Sequence, residues 1–271
     1  MQIDGKHIVI TGAAGGIGSA LARSLAALGG RMVVSDMDQA NAEQLAAAIG
    51  GLGVVCDVSR ESDIQELIKQ AEAANGPVDI FVSNAGFAAG EANHAASASN
   101  EVWQKNWDVH VMAHVWASRA LLPGMIERGD GYLINVASAA GLLSQISDAA
   151  YTATKHAAVA FAESLAISHM DDGIKVSVIC PQYVATNILG LMTDAEKAAE
   201  IPGVISAQQC ADVIVQGIQD ETFLILPHPE VAEFTQRRGS DVKRWLDGMR
   251  RYRASLLGDD GKIDLAKIFK H

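Results

Sequence analysis

Tyr151 and Lys155 stand four residues apart at the start of a stretch of helical composition, so both side chains fall on one face and reach one site. A free phenol ionises near pH ~10 and is a poor base at neutral pH. A lysine ammonium, together with a second positive charge nearby such as an oxidised cofactor ring, favours the phenolate and pulls that value down, which fits a tyrosine for acid–base chemistry. Ser138 follows a β-rich run, at the strand end where α/β sheets place ligands, and its hydroxyl could orient a reacting oxygen. A tyrosine–lysine pair of this spacing is common by chance, and its weight comes from what precedes it.

Immediately after the first β-rich run comes Thr11-Gly12-Ala13-Ala14-Gly15-Gly16-Ile17-Gly18, with a helix beginning inside it. A pyrophosphate needs closely approaching backbone N–H groups and a helix N-terminus aimed at its charge, and glycine allows both because no Cβ intervenes. Asp36 follows the second β-rich run, where a carboxylate can accept hydrogen bonds from adenosine ribose hydroxyls. An ionised Asp36 repels the 2′-phosphate of NADP, and its neighbours Met37 and Gly15 bring no compensating cation. The expected cofactor is NAD.

These residues need a scaffold, and the chain alternates short β-rich runs with longer helical ones, the pattern of βαβ units around a parallel sheet. The runs at 7–11, 31–35, 54–56, 80–83, 132–136, 175–180 and 223–226 make seven candidate strands. Stretches 17–28, 39–49, 61–74, 100–128 and 151–170, rich in Ala, Leu and Glu, read as crossover helices. No linker interrupts the 271 residues, so one domain, 1–271, is expected. Residues 187–203 read either as a surface helix or as an apolar lid. The region 227–271 reads as a helical C-terminal extension, covering either the pocket or a neighbour.

With 49% hydrophobic and 20% charged residues the chain has material for a sizeable core. A formal charge of −11 argues against a nucleic-acid partner or an anionic membrane surface. Arg250, Arg251 and Arg253 form one short basic run, which reads as a solvated helix face. Cys56, Cys180 and Cys210 lack a CxxC pattern and suggest buried thiols in a reducing compartment. Without a signal-peptide start or an apolar run near ~18 residues, a cytoplasmic, non-membrane protein is expected.

Together these residues resemble the short-chain dehydrogenase/reductase family, in its single-domain branch, over nearly the whole chain to about Leu226. The turn is similar to the family's TGxxxGxG. Asn84-Ala85-Gly86 is similar to its NAG motif, and Cys56-Asp57-Val58 to the segment whose acid contacts adenine. The resemblance implies a Rossmann-type, doubly wound, seven-stranded parallel sheet of order 3-2-1-4-5-6-7 with helices on both faces. It implies Tyr151 as acid/base, Lys155 holding the nicotinamide ribose, and Ser138 polarising the substrate oxygen. Pro181, Val184 and Thr186 would flank the nicotinamide. A homodimer or homotetramer built through 100–128 and 151–170 is implied too.

Two departures stand out. His110 occupies the place where the family commonly has an Asn that marks a helix distortion. A proton relay there runs either through the main chain or through the imidazole itself. Gln182 follows Pro181 where the family usually has Gly, bringing an amide beside the nicotinamide. His110 and His114 have metal-ligand spacing but no third ligand at a suitable distance in the sequence, so no metal is expected.

Substrate contacts are expected from Ala140, Gln145, Gln182, Tyr183, Leu189 and Met192, mostly small or apolar. They suit a hydrophobic secondary alcohol or its ketone, and Asp148 would disfavour an anion if it faces the cavity. Two other readings compete: a catalytically silent NAD-binding regulator, and a nucleotide-sugar epimerase or dehydratase. The second usually carries a longer C-terminal domain and a tighter TGxxGxxG turn.

Overall fold

The computed structural model describes residues 1–91, 93–186, 188, 201–258, 262–264 and 267. Strand β1 (His7–Thr11) leads into α1 (Gly16–Ala27), followed by β2 (Arg31–Asp36), α2 (Gln39–Ile49), β3 (Leu52–Val55), α3 (Glu61–Asn75) and β4 (Ile80–Ser83). The second half runs α4 (Asn100–Trp107), a π-helical segment (Asp108–Met112), α5 (Ala113–Arg128), β5 (Gly131–Val136), α6 (Ala149–His169) and β6 (Ile174–Ile179). It continues through β7 (Tyr183–Ala185), β8 (Val204–Ser206), α7 (Ala207–Gln219), β9 (Leu224–Ile225), α8 (Glu230–Ser240) and α9 (Val242–Ser255).

Seven strands form one sheet of order β3-β2-β1-β4-β5-β6-β9, every pair parallel. This is the expected Rossmann-type order; the seventh strand is the ninth along the chain because β7 and β8 pair separately. The sequence pattern above assigns neither that small sheet nor helix α7 after it.

The strands are apolar on both faces because both are covered. Val9, Val33, Phe81, Leu133 and Val178 point into one core with α3, α5 and α6. Ile8, Ile10, Val34, Val82 and Ile134 point into the other, with Leu21 and Leu25 of α1 and Ile214 of α7. Each such side chain contributes roughly 1.5–3 kcal/mol by leaving water, which fixes the register and so the strand ends. The order reverses between β1 and β4, and a crevice opens there beyond the strand ends.

Cys56, Cys180 and Cys210 are buried and unpaired. Among the described residues no helix is long and apolar enough to cross a membrane. Most of the expected lid, 187–203, including Leu189 and Met192, lies outside the described residues.

Candidate active site

The end of β1 turns sharply at Gly12, whose φ of +61° belongs to the left-handed region and whose Cβ would meet the Ala85 Cα at 2.6 Å. Gly16 also has positive φ, +53°, with the Thr186 side chain against it. Two neighbours hold the turn from β4. The Asn84 side-chain amide donates to the carbonyls of Thr11 and Gly12, both at 2.9 Å. The N–H groups of Asn84 and Ala85 donate to the Thr11 hydroxyl at 3.0 and 3.2 Å. Thr11 is a supporting residue that its position at the head of the turn could have signalled.

Helix α1 starts with no side-chain cap and no acidic residue in its first turn. Its first N–H groups therefore face the crevice without an internal anion. At the other rim Asp36 accepts hydrogen bonds from the N–H groups of Ala14 at 3.0 Å and Asp38 at 3.2 Å, which pins the carboxylate beside the turn. Asp57 accepts from the Ser59 hydroxyl at 2.7 Å, and the N–H of Ala14 links the turn to β2, so the adenine-side loops form one braced edge.

A cleft of about 640 Å³ runs from this edge to the tyrosine. Gly12, Gly15, Gly16, Ile17, Gly18, Asp36, Asp57, Val58, Asn84, Ala85 and Gly86 line it, and so do Ser138, Tyr151, Lys155, Pro181, Gln182, Val184 and Thr186. Met37, Phe87 and Lys105 line it too, and the sequence pattern had not singled out Phe87 or Lys105.

Tyr151 enters on the first turn of α6, where the Asp148 carboxylate accepts its N–H at 3.0 Å. Asp148 also accepts from Ala89 and Gly90, at 3.2 and 2.8 Å, and is 5% exposed. It is a brace between two loops, not the charge facing a substrate that the sequence allowed for. Ser138 sits at the end of β5, its hydroxyl accepting the Ala140 N–H at 3.1 Å. Ala140 is itself buried and does not line this cleft, so the expected substrate contact there is corrected to a prop for Ser138. Lys155, one helical turn after Tyr151, donates to the Val136 carbonyl at 3.1 Å, and its ammonium lies 5.4 Å from the Tyr151 ring centre.

Burial pushes the Tyr151 hydroxyl up to about 12, against a lowering hydrogen bond with Ser138. Desolvation of the phenolate is the largest cause, and Asp148 and Cys180 act in the same direction; the expected lowering counts the charge of an oxidised nicotinamide as well as the lysine. The same burial brings Lys155 down to about 8. By itself this chain holds the phenol as a neutral acid beside a lysine that loses its charge just above neutrality.

His110 lies in the π-helical segment, fully buried, its ring edge-on to Tyr151 at 5.3 Å between centres. The Phe87 N–H donates to Nε2 at 3.2 Å, which makes that nitrogen the acceptor and leaves Nδ1–H to donate to the Thr154 hydroxyl, 3.2 Å away. The Thr154 hydroxyl in turn donates a hydrogen bond to the Ala150 carbonyl at 2.9 Å. Burial, with Lys155 nearby, holds His110 well below the usual imidazole range. His114, also buried, is brought down to about 3. The helix distortion is present, while the imidazole is a neutral ring with both nitrogens engaged.

Beyond Gln182 the wall changes character. The Gln182 N–H donates to His228 Nδ1 at 3.1 Å, and His228 Nε2 donates to the Tyr183 carbonyl at 3.1 Å. His228, between two prolines just before α8, thus ties the 181–183 segment to the C-terminal helices. The sequence reading passed it over.

A family model described as short chain dehydrogenase matches residues 6–197. Epidermal retinol dehydrogenase 2 of Mus musculus is 32% identical over 236 residues, 83% of this chain and 75% of that protein. Estradiol 17-beta-dehydrogenase 11 of Pongo abelii is 29% identical over 258 residues, 92% of this chain and 84% of that protein. A crystal structure of a short chain dehydrogenase/reductase from Burkholderia phymatum in complex with NAD superposes with a TM-score of 0.80 at 30% identity, covering 90% of this chain and 96% of that one.

Proposed function

This chain belongs to the short-chain dehydrogenase family, and on that premise we propose that it is an NAD-dependent oxidoreductase interconverting a hydrophobic secondary alcohol and its ketone. The observation that carries the reading is the gathering of Ser138, Tyr151 and Lys155 on the wall of one cleft whose other end is the glycine turn and Asp36. The two relatives named above are called dehydrogenases of retinol and estradiol, both apolar alcohols, and the Burkholderia phymatum protein holds NAD.

The residues present fit a dinucleotide. The uncapped start of α1 offers N–H groups to a pyrophosphate, and a Cβ at Gly15 would stand in open space at the cleft wall. Asp36 would take the ribose hydroxyls, Asp57 and Val58 would flank the adenine, and Pro181, Val184 and Thr186 would flank the nicotinamide. When bound, the nicotinamide supplies the hydride acceptor or donor. Tyr151, a neutral phenol, gives its proton to the oxygen that becomes the alcohol hydroxyl, and takes it back in the oxidative direction. Ser138 donates a hydrogen bond to the same oxygen as charge develops on it. Lys155 holds ribose hydroxyls and, while charged, favours the phenolate during oxidation.

His110 positions this group without titrating, so its role runs through packing and the distorted backbone. His110→Asn is expected to leave the pH–rate profile of ketone reduction unchanged in shape, with the alkaline fall near pH 8 set by Lys155. An added or lost ionisation between pH 5 and 7 would instead assign the imidazole to the relay.

The proposal is tested by absorbance at 340 nm with a panel of alcohols and ketones and both nicotinamide cofactors. Parent protein is expected to prefer NAD in kcat/KM. Asp36→Ala is expected to shift the NADP:NAD ratio about 30-fold toward NADP, which corresponds to ~2 kcal/mol of relieved repulsion at an effective dielectric of about 20. A parent preference for NADP would remove Asp36 from this role. A cytoplasmic homo-oligomer belongs to the same reading. It is supported by exposed Trp107 on α4 and Ile167 on α6, and by the buried unpaired thiols.

A further inference from the structure

Helix α9 has an apolar stripe and no buried residue. Trp245, Met249 and Tyr252 recur at the spacing of one helical face, and a surface helix normally presses such a face into a core. Here the three line a cavity of about 280 Å³, together with Phe234 of α8 and with Gln182 and Tyr183. Gln182 lines both this cavity and the cofactor cleft, so the two are neighbours across that residue.

The helices are anchored as a wall. Val231 of α8 is fully buried against Leu142, Leu143 and Leu226, and Trp245 packs on the same cluster. The Arg238 guanidinium donates to the Leu142 carbonyl at 3.1 Å, and the His228 bridge secures 181–183. Among the described residues the one cation on the lining, Arg237, is paired with Glu233. Tyr183 is engaged by the Gln145 side chain. The Gln182 side-chain oxygen is buried without a partner among the described residues, which leaves one amide at the junction for a neutral polar group.

We propose that the Trp245–Met249–Tyr252 face is the specificity wall of the substrate site, and that the chain takes uncharged aryl-alkyl or bicyclic ketones and alcohols. This rests on the dehydrogenase reading above and narrows its substrate. At the roughly 20–30 Å³ that a packed heavy atom occupies, the cavity holds roughly nine to fourteen such atoms. Aromatic walls favour a flat ring, and a largely apolar lining with no unpaired cation among the described residues disfavours a carboxylate or phosphate.

The test pairs turnover with direct binding. Reduction with NADH is measured for acetone, cyclohexanone and 2-tetralone, and 2-tetralone binding to the NADH-loaded protein is measured by calorimetry. Parent kcat/KM is expected to rise at least a hundredfold from acetone to 2-tetralone. Trp245→Ala is expected to cut that ratio tenfold or more, chiefly through KM, and to weaken tetralone binding by a similar factor. Trp245→Phe should restore most of both, and Leu246→Ala, 60% exposed on the same helix, should keep the parental ratio. A thermal melt of each variant separates lost folding from lost recognition. Tetralone binding indifferent to Trp245→Ala, or a parental ratio near one, overturns the inference and leaves the dehydrogenase reading standing. Tetralone binding that depends on Trp245 without turnover of any ketone or alcohol upholds the wall and sinks the dehydrogenase reading.

Discussion

Replacing Tyr151 by Phe is expected to lower turnover at least about a thousandfold while leaving NAD affinity within about twofold. The substitution removes one oxygen and keeps the ring, so the edge contact with His110 at 5.3 Å and the Lys155 ammonium 5.4 Å from the ring centre both survive. What is lost is the acidic proton. Ser138 can still donate a hydrogen bond to the reacting oxygen, but an alcohol hydroxyl with a pKa far above that of a phenol is a poor replacement acid. Stopped-flow absorbance at 340 nm reads the hydride step, and quenching of NADH fluorescence reads binding. Turnover within tenfold of the parent would place the proton elsewhere and undo the mechanism. A parent that binds NAD and turns over nothing would favour the silent regulator instead, with Tyr151→Phe then without consequence.

Gly18→Ala carries the second large effect, through backbone that cannot give way. A Cβ at Gly18 would meet the Gly12 carbonyl oxygen at 2.4 Å, the Asn84 amide nitrogen at 2.6 Å and the Ala13 Cα at 3.0 Å. Moving any of these displaces the turn or breaks the hydrogen bonds by which Asn84 ties β4 to it. Overpacking of this kind costs roughly 1–3 kcal/mol, so a melting temperature lower by about 2–5 °C is expected. The shift falls on the N–H groups proposed to face the pyrophosphate, and NAD affinity should drop about a hundredfold. Gly15→Ala is the control: its backbone is extended and its Cβ meets nothing within 4 Å, so stability should hold while the new methyl competes for cofactor space. Full NAD affinity in Gly18→Ala would mean that the turn is not the phosphate cradle.

Much of the cofactor end could be read before folding because its chemistry is local. A glycine turn, the strand before it and the helix after it are contiguous, and the acid closing β2 follows one βα unit later. Tyr151 and Lys155 are similarly joined by one turn of α6, so spacing alone puts them on one face. The run at 223–226 marks β9, whereas the small β7–β8 sheet is not marked, since three-residue strands have too few side chains to show a period. Helix α7 carries a capping box at Ser206 and Gln209 that the sequence reading passed over.

The sequence by itself determined the residue types, the βα alternation and the cofactor-side order, because each rests on neighbours along the chain and on the burial of both sheet faces. Only the tertiary structure decided the protonation of the site and the shape of its far wall. Tyr151 is driven toward its neutral form and Lys155 toward losing its charge by desolvation, which depends on everything packed around them. The His110 ring is fixed by Phe87 and Thr154, 23 and 44 residues away. The C-terminal helices close over the pocket through His228, 46 residues from its partner Gln182. Such contacts are made across space, and a one-dimensional pattern has no term for them.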